Sequence, residues 1–357
     1  MRFGPVALNA AEGAVLAHSL MVGGRKLGKG RVLTAADLAV IAAEGITEVT
    51  VARLDPDDVG EDAAAVRLAA ALVPDPDAAG LRLTVPHAGR VNLHAVGPGI
   101  VDMDVDAIHA LNRVDPTLTL AVLAPFTRVT ERMLVGTVKV IAYAVAGTAL
   151  EAACRVASGA VRVLPVMRRS AGLILTESAG DKLAEKGREA VAGRLRALGM
   201  DLAEVVVARH AVADVAEALG RLSGEMALIL TGAATSDLHD VAPEAVRRAG
   251  GSVARFGMPV DPGNLLFHGT LNGRPVIGLP GCARSPALNG ADWVLERLAC
   301  GLEVTDDDIA AMGVGGLLKE IPIRPQPREV RRGRDASSGS IQGKTKGRVR
   351  AGPVQGS

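Results

Sequence analysis

Between residues 170 and 300, short apolar runs alternate with stretches whose apolar positions recur every three or four residues. Gly172-Leu-Ile-Leu-Thr176, Glu204-Val-Val-Val207 and Ala227-Leu-Ile-Leu-Thr231 read as buried strands. Between them, Leu183, Val191, Leu195 and Leu198 fall on one side of a helix that ends at Gly199. Val212, Val215, Leu219 and Leu222 fall on one side of the next. Asp240 opens a further helical pattern with Pro243 in its first turn, where a missing N–H costs nothing. Residues 250–256 turn into another strand. Phe267–Leu271 and Arg274–Leu279, joined by Asn272-Gly273, read as a hairpin with a type I′ turn. Ser285 and Pro286 predict the cap and first residue of a helix running to about Leu298, with Trp293, Val294 and Leu298 as its buried face. This rhythm predicts an α/β fold: a three-layer αβα, mostly parallel sheet with helices on both faces.

The chain before residue 166 is less regular. The runs at 14–17 and 48–52 predict strands, and Thr34 caps a helix that Gly45 stops. The loop at 22–30 places three basic residues among four glycines, a pattern that suits either a solvated hairpin or an anion cradle. Residues 61–73 form an Ala-rich helix, and 74–80 break it. From 81 to about 150, short strands surround one helix at 105–112. Arg90, Asn92 and Lys139 lie in those strands, where outward-facing positions are the simpler account. The expected organisation is an accessory α/β segment at 1–80, a mixed α/β segment at 81–165 and the regular α/β domain at 166–327. A tail at 328–357, rich in Arg, Lys, Gly and Ser, is too polar to fold.

Composition narrows the classes. The chain has 357 residues, 48% of them hydrophobic, but only one Trp, one Tyr and four Phe, so its cores are aliphatic. A net charge of +1 gives no argument for nucleic acid. No apolar run is long enough to span a membrane or serve as a signal peptide. Three dispersed cysteines without C-x-x-C fit a reducing cytoplasm, the expected location. No H-E-x-x-H or G-x-S-x-G pattern is present.

Loops at the carboxyl ends of parallel strands hold the candidate chemistry, because backbone N–H groups and small side chains meet there. This singles out Thr176 and Gly180 after the first strand, and Thr231, Gly232, Thr235 and Ser236 after the third. Asp240 follows as an N-cap, a phosphate-supporting carboxylate, or both. Asp214 has the same two readings, with capping favoured. Asp261 is either a turn residue or a ligand contact. Arg284 and Ser285, at a predicted helix N-terminus, suit a phosphate. Cys282 is either small apolar filler or a thiol activated by that terminus.

These residues also resemble a family. Thr231-Gly-Ala-Ala-Thr-Ser-Asp-Leu-His-Asp240-Val-Ala-Pro243 resembles the T-G-G-T-G-x-x-x-x-D-V-x-P signature of molybdopterin-binding domains in molybdenum cofactor biosynthesis. Val212-Ala-Asp214 resembles the V-P-D segment. Pro262-Gly-Asn264 and Gly278-Leu-Pro-Gly281 resemble motifs of the molybdopterin molybdotransferase branch. Ala233 and Thr235 replace two glycines of the signature, Asn264 replaces a lysine, and Cys282-Ala283 replaces Asn-Pro. The chain to about residue 327 is also similar to bacterial proteins that elsewhere carry a C-terminal molybdenum cofactor nucleotidyltransferase domain. The basic tail stands where that domain would begin, so nucleotide transfer of that type is not expected. The resemblance implies molybdopterin or its adenylated form as ligand, with Gly263, Asn264, Pro280 and Gly281 among the contacts. It implies Asp240 as catalytic and metal-binding residue, Mg²⁺ and molybdate as further reactants, a separate nucleotidyltransferase partner, and a homo-oligomer. Three readings stay open: molybdate insertion, cofactor holding without chemistry, and adenylyl transfer.

Overall fold

The computed structural model describes residues 1–176 and 181–318. The turn containing Gly180 and the basic tail lie outside the described residues.

The region after residue 166 is a three-layer αβα structure. Its six-stranded sheet has the order Asp201–Ala208, Ser170–Thr176, Met226–Leu230, Arg274–Leu279, Phe267–Leu271, Ser252–Phe256. The first four strands are parallel, and Phe267–Leu271 is antiparallel to both of its neighbours, joined to Arg274–Leu279 by the hairpin. Asn272 and Gly273 have φ of 52° and 74°, the left-handed pair that a type I′ turn requires.

Side chains alternate across this sheet as a period of two demands. Leu173, Leu175, Leu228, Leu230, Ile277 and Leu279 face helices Asp181–Ala197 and Gly290–Ala299. Ile174, Ile229 and Val276 face helices Val212–Arg221 and Val241–Arg248. Both faces are covered, which is why the central strands read as continuous apolar runs.

The first three strands of this region, in chain order, stand second, first, third across the sheet. The connection leaves the first strand toward one side and returns on the other. A crevice therefore opens between the carboxyl ends of Ser170–Thr176 and Met226–Leu230, the topological switch point at which open α/β sheets hold ligands.

Ahead of this region, Arg2–Ala7, Glu48–Arg53 and Val15–Leu16 form a small sheet packed on helix Ala35–Ala43 through Leu16, Leu33, Ile41 and Val51. Thr34 caps that helix in a box with Asp37. A second core joins helices Glu61–Leu72, Val105–Val114 and Gly147–Val156 to a four-stranded and a three-stranded sheet. Glu61–Leu72 thus packs with residues after 81 rather than with the preceding sheet. Helix Gly147–Val156 and strands Gly99–Met103 and Val161–Pro165 were not anticipated from the sequence; Gly147 and Gly99 open two of them, and glycine reads as a breaker. Asn92 and Lys139 are spent locally: Asn92 Oδ1 accepts from Thr137 Oγ1 at 2.9 Å, and Lys139 donates to Ala88 O.

One helix start differs from expectation. The last long helix begins at Gly290, not Pro286. Asn289 caps it by accepting from Ala291 N at 3.0 Å, and Asp292 Oδ2 accepts from Asn289 N at 2.8 Å. This reciprocal box outcompetes the Ser-Pro start. Residues 281–284 are instead a 3₁₀ turn, and Ser285 is extended. Of the expected buried face, Val294 and Leu298 are buried, while Trp293 is half-buried. The N–H groups expected to meet a phosphate at Ser285 are therefore not a helix terminus.

Candidate functional site

The crevice is assembled by two strand ends. Gly232 N donates to Thr176 Oγ1 at 2.8 Å, and the same oxygen lies 3.0 Å from His210 Nδ1. Thr176 is buried, so the hydroxyl needs partners on every side. It accepts from Gly232 and shares its second hydrogen bond with His210 Nδ1, which ties the 210 side chain to the two strand ends. His210 was not singled out from the sequence; its signal is its place immediately after the Asp201–Ala208 strand.

The loop 231–240 closes on itself. Asp240 Oδ1 accepts from Val241 N at 2.7 Å, and Oδ2 accepts from Ser236 N at 2.9 Å. Asp240 is thus an N-cap and a loop clasp together. Thr235 is buried and turns its hydroxyl toward Thr231 Oγ1 at 3.5 Å. Ala233, Ala234 and Ser236 are exposed along the outer edge.

Arg284 reaches the same place from the 3₁₀ turn. Its Nη2 donates to Thr231 O at 2.5 Å, and Nη1 donates to Gly281 O at 3.3 Å. Gly187 makes room: a Cβ there would stand 2.7 Å from Leu230 Cδ2 and 3.6 Å from Arg284 Cγ. Burial lowers the guanidinium pKa, and among the described residues no carboxylate forms an ion pair with it.

The 281–289 turn is fixed by Arg194, which the sequence reading missed. Its buried guanidinium donates Nη1 to Ala283 O at 2.8 Å and Nη2 to Ser285 O at 2.9 Å and Ala287 O at 3.1 Å. Nε is bonded to Asp292 Oδ1 at 2.5 Å. The legible signal was an arginine at an apolar position of the helix, between Val191 and Leu195.

The expected site therefore divides. Thr176, Thr231, Gly232, Thr235, Ser236, Asp240 and Arg284 form one linked constellation. Pro280, Gly281 and Ser285 belong to the turn that carries Arg284. The Asp261, Gly263 and Asn264 loop meets the helix start, where Gly290 N donates to Pro262 O at 2.8 Å. Gly263 is required there, since a Cβ would lie 2.9 Å from Gly290 N. Asn264 Nδ2 donates back to Met258 O at 3.3 Å. Asp214 is not a cap: Ala211 holds that position, and Asp214 Oδ1 accepts from Arg209 Nη2 at 2.7 Å. The preceding Arg209 supplies a charge that competes with the helix N–H groups. Cys282 sits beside the Asn289 cap, 3.1 Å from its Nδ2.

A magnesium ion is not well served by these donors. Both Asp240 oxygens are turned to backbone N–H groups, and among the described residues no three His, Cys, Asp or Glu side chains gather as a metal site. No step is derived through such an ion.

The fold is an open α/β domain whose switch point carries this constellation. Residues 174–299 match the family model described as a probable molybdopterin binding domain. Residues 5–53 match a domain of unknown function. A solved structure described as the molybdopterin biosynthesis MoeA protein from Pyrococcus horikosii aligns with 84% of this chain and 75% of its own, at 14% identity and a TM-score of 0.30. No curated protein matches the chain. Among the described residues no helix is long and apolar enough to cross a membrane.

Proposed function

We propose that the crevice binds molybdopterin or its adenylated form and holds it during molybdenum cofactor biosynthesis, with its phosphate on Arg284 and the 231–236 backbone. One observation carries this reading. Arg284 is a partly buried cation held on two carbonyl oxygens, and its charge is uncompensated among the described residues. A guanidinium so placed is stabilised by an anion, and its planar fork suits phosphate. Asp240 acts in this reading as a positioning residue: it fixes the loop whose N–H groups at 233–235 would face the ligand, those of Gly232 and Ser236 being held by Thr176 and Asp240. Holding the cofactor is favoured over molybdate insertion because the Asp240 carboxylate is already engaged by two N–H donors.

The test is molybdopterin affinity, by fluorescence or calorimetry, for wild type, Arg284→Ala and Asp240→Ala. Loss of one charge-assisted contact weakens binding by about 10- to 100-fold. Unchanged affinity in both variants means that the crevice is wrongly placed. Adenylated molybdopterin should bind without releasing AMP when Mg²⁺ and molybdate are added. Molybdate-dependent AMP release, lost in Asp240→Asn, would instead make the protein a molybdotransferase.

A further inference from the structure

Lined by none of the residues that form the Arg284 constellation, a second cleft of about 500 Å³ opens between loop 124–127 and helices Gly290–Ala299 and Asp306–Ala311. It is large enough for one small organic molecule. In a chain with one Trp, one Tyr and four Phe, this cleft takes the only Trp, Trp293, and one of the Phe residues, Phe126. Met312 adds a third adaptable apolar wall.

Phe126 is held there under constraint. Its φ is 59°, a left-handed conformation that bulky side chains rarely adopt. Three hydrogen bonds keep it: Phe126 N to Val101 O at 2.7 Å, and Thr127 N and Oγ1 to Ala124 O at 3.2 and 2.7 Å. The Arg297 guanidinium lies 4.2 Å from the ring centroid and donates to the Trp293 backbone carbonyl at 2.9 Å, so it ties the Phe126 ring to the helix that carries Trp293. A strained residue maintained by its surroundings points to a use for its side chain.

The charged groups define what the aromatic walls would accept. Arg297 already covers the Phe126 ring, which disfavours a second cation such as an ammonium ligand. Asp308 also lines the cleft. Its Oδ2 accepts from Thr305 N and Oγ1, whereas Oδ1 is used by no hydrogen bond among the described residues. A carboxylate oxygen at the rim accepts from N–H and repels anions. The matching ligand is a flat, neutral heteroaromatic ring with an amino group on its edge.

We propose that this cleft binds the base of a purine nucleoside, stacked on the aromatic walls with its amino edge toward Asp308. This goes beyond the cofactor-binding reading and does not depend on it. Because Trp293 is the only tryptophan, its fluorescence reports this cleft alone. Adenosine or guanosine should quench it saturably, and inosine, which lacks the amino group of guanosine, should bind more weakly than guanosine. Phe126→Leu should weaken binding by about tenfold, the worth of one aromatic–base stack. Ala311→Arg, at an exposed cleft residue outside the core, should block binding with the circular dichroism unchanged; this variant carries the test if Phe126→Leu fails to fold. Arg284→Ala should keep the quenching. The proposal is overturned if neither nucleoside quenches at millimolar concentration, if a free pterin quenches and neither nucleoside does, or if folded Ala311→Arg binds as wild type does.

Discussion

Replacing Arg194 with Met tests how the Arg284 turn is held. The native guanidinium is 7% exposed, donates to three carbonyls of residues 283–287, and pairs with Asp292, itself 6% exposed. Methionine fills much of the volume and restores none of these bonds. It leaves the Asp292 charge buried with, among the described residues, the Asn289 N–H as its remaining hydrogen-bond partner. An uncompensated buried charge of this kind costs about 3–5 kcal/mol. The carbonyl contribution is smaller, because a loosened turn can give them water. Urea unfolding followed by far-ultraviolet circular dichroism should show that loss. Lysine at 194 keeps the charge but not the planar fork, so Arg194→Lys should recover only part of it. A double-mutant cycle with Asp292→Asn should return a coupling of about 1–3 kcal/mol. A loss below about 1 kcal/mol in Arg194→Met would refute the reasoning, since something else would then be fixing the turn.

Two further predictions concern pH. Glu296 is buried, and desolvation pushes its pKa to about 7 although Arg128 lies 3.4 Å away and pulls the other way. The unfolded chain loses this proton near the ordinary glutamate value, whereas the folded chain keeps it longer. Stability contributed by the neutral form is therefore lost as pH rises from about 4.5 to about 7, with a total of roughly 3 kcal/mol. Glu296→Gln should flatten that slope in urea melts; an unchanged slope would refute the assignment. His268 is 5% exposed, its buried Nε2 has no hydrogen-bond partner among the described residues, and burial lowers its pKa. The unfolded state binds the proton first, so stability falls as pH drops below about 6.5. His268→Leu removes the orphaned acceptor and should leave stability at pH 7 unchanged or higher by about 1 kcal/mol, with the acid slope reduced. A large loss at pH 7 would show that the imidazole is satisfied.

The sheet was legible in the sequence where local pattern and tertiary environment agree. Strands covered on both faces leave continuous apolar runs, and Leu173, Ile174, Leu228 and Ile229 are buried on alternate sides. Asp240 was readable as a cap because capping is local, and its bonds reach only Ser236 and Val241. The missed helix start depended on a distant partner. Ser285-Pro286 has good local chemistry for a helix start, but Ser285 O is taken by Arg194, 91 residues earlier, and the Asn289–Asp292 box starts the helix instead. Asp214 failed for a different, local reason: Arg209, five residues earlier, claims its carboxylate.

The replaced glycines of the 231–235 stretch show the same limit from the other side. Read along the sequence, a threonine where a related motif has glycine narrows the approach to the backbone. In the fold, Thr235 is 7% exposed and its hydroxyl faces Thr231, so its bulk lies beneath the loop rather than in the crevice. Ala233 is the replacement on the open side, and it adds one methyl group. The anion crevice is thus less reduced than the motif alone suggests. Its positive charge comes from Arg284, which Gly187 admits and Arg194 steadies, two residues of a helix that no ligand motif marks. Affinity for an anionic pterin should accordingly depend more on this helix than on restoring the missing glycines.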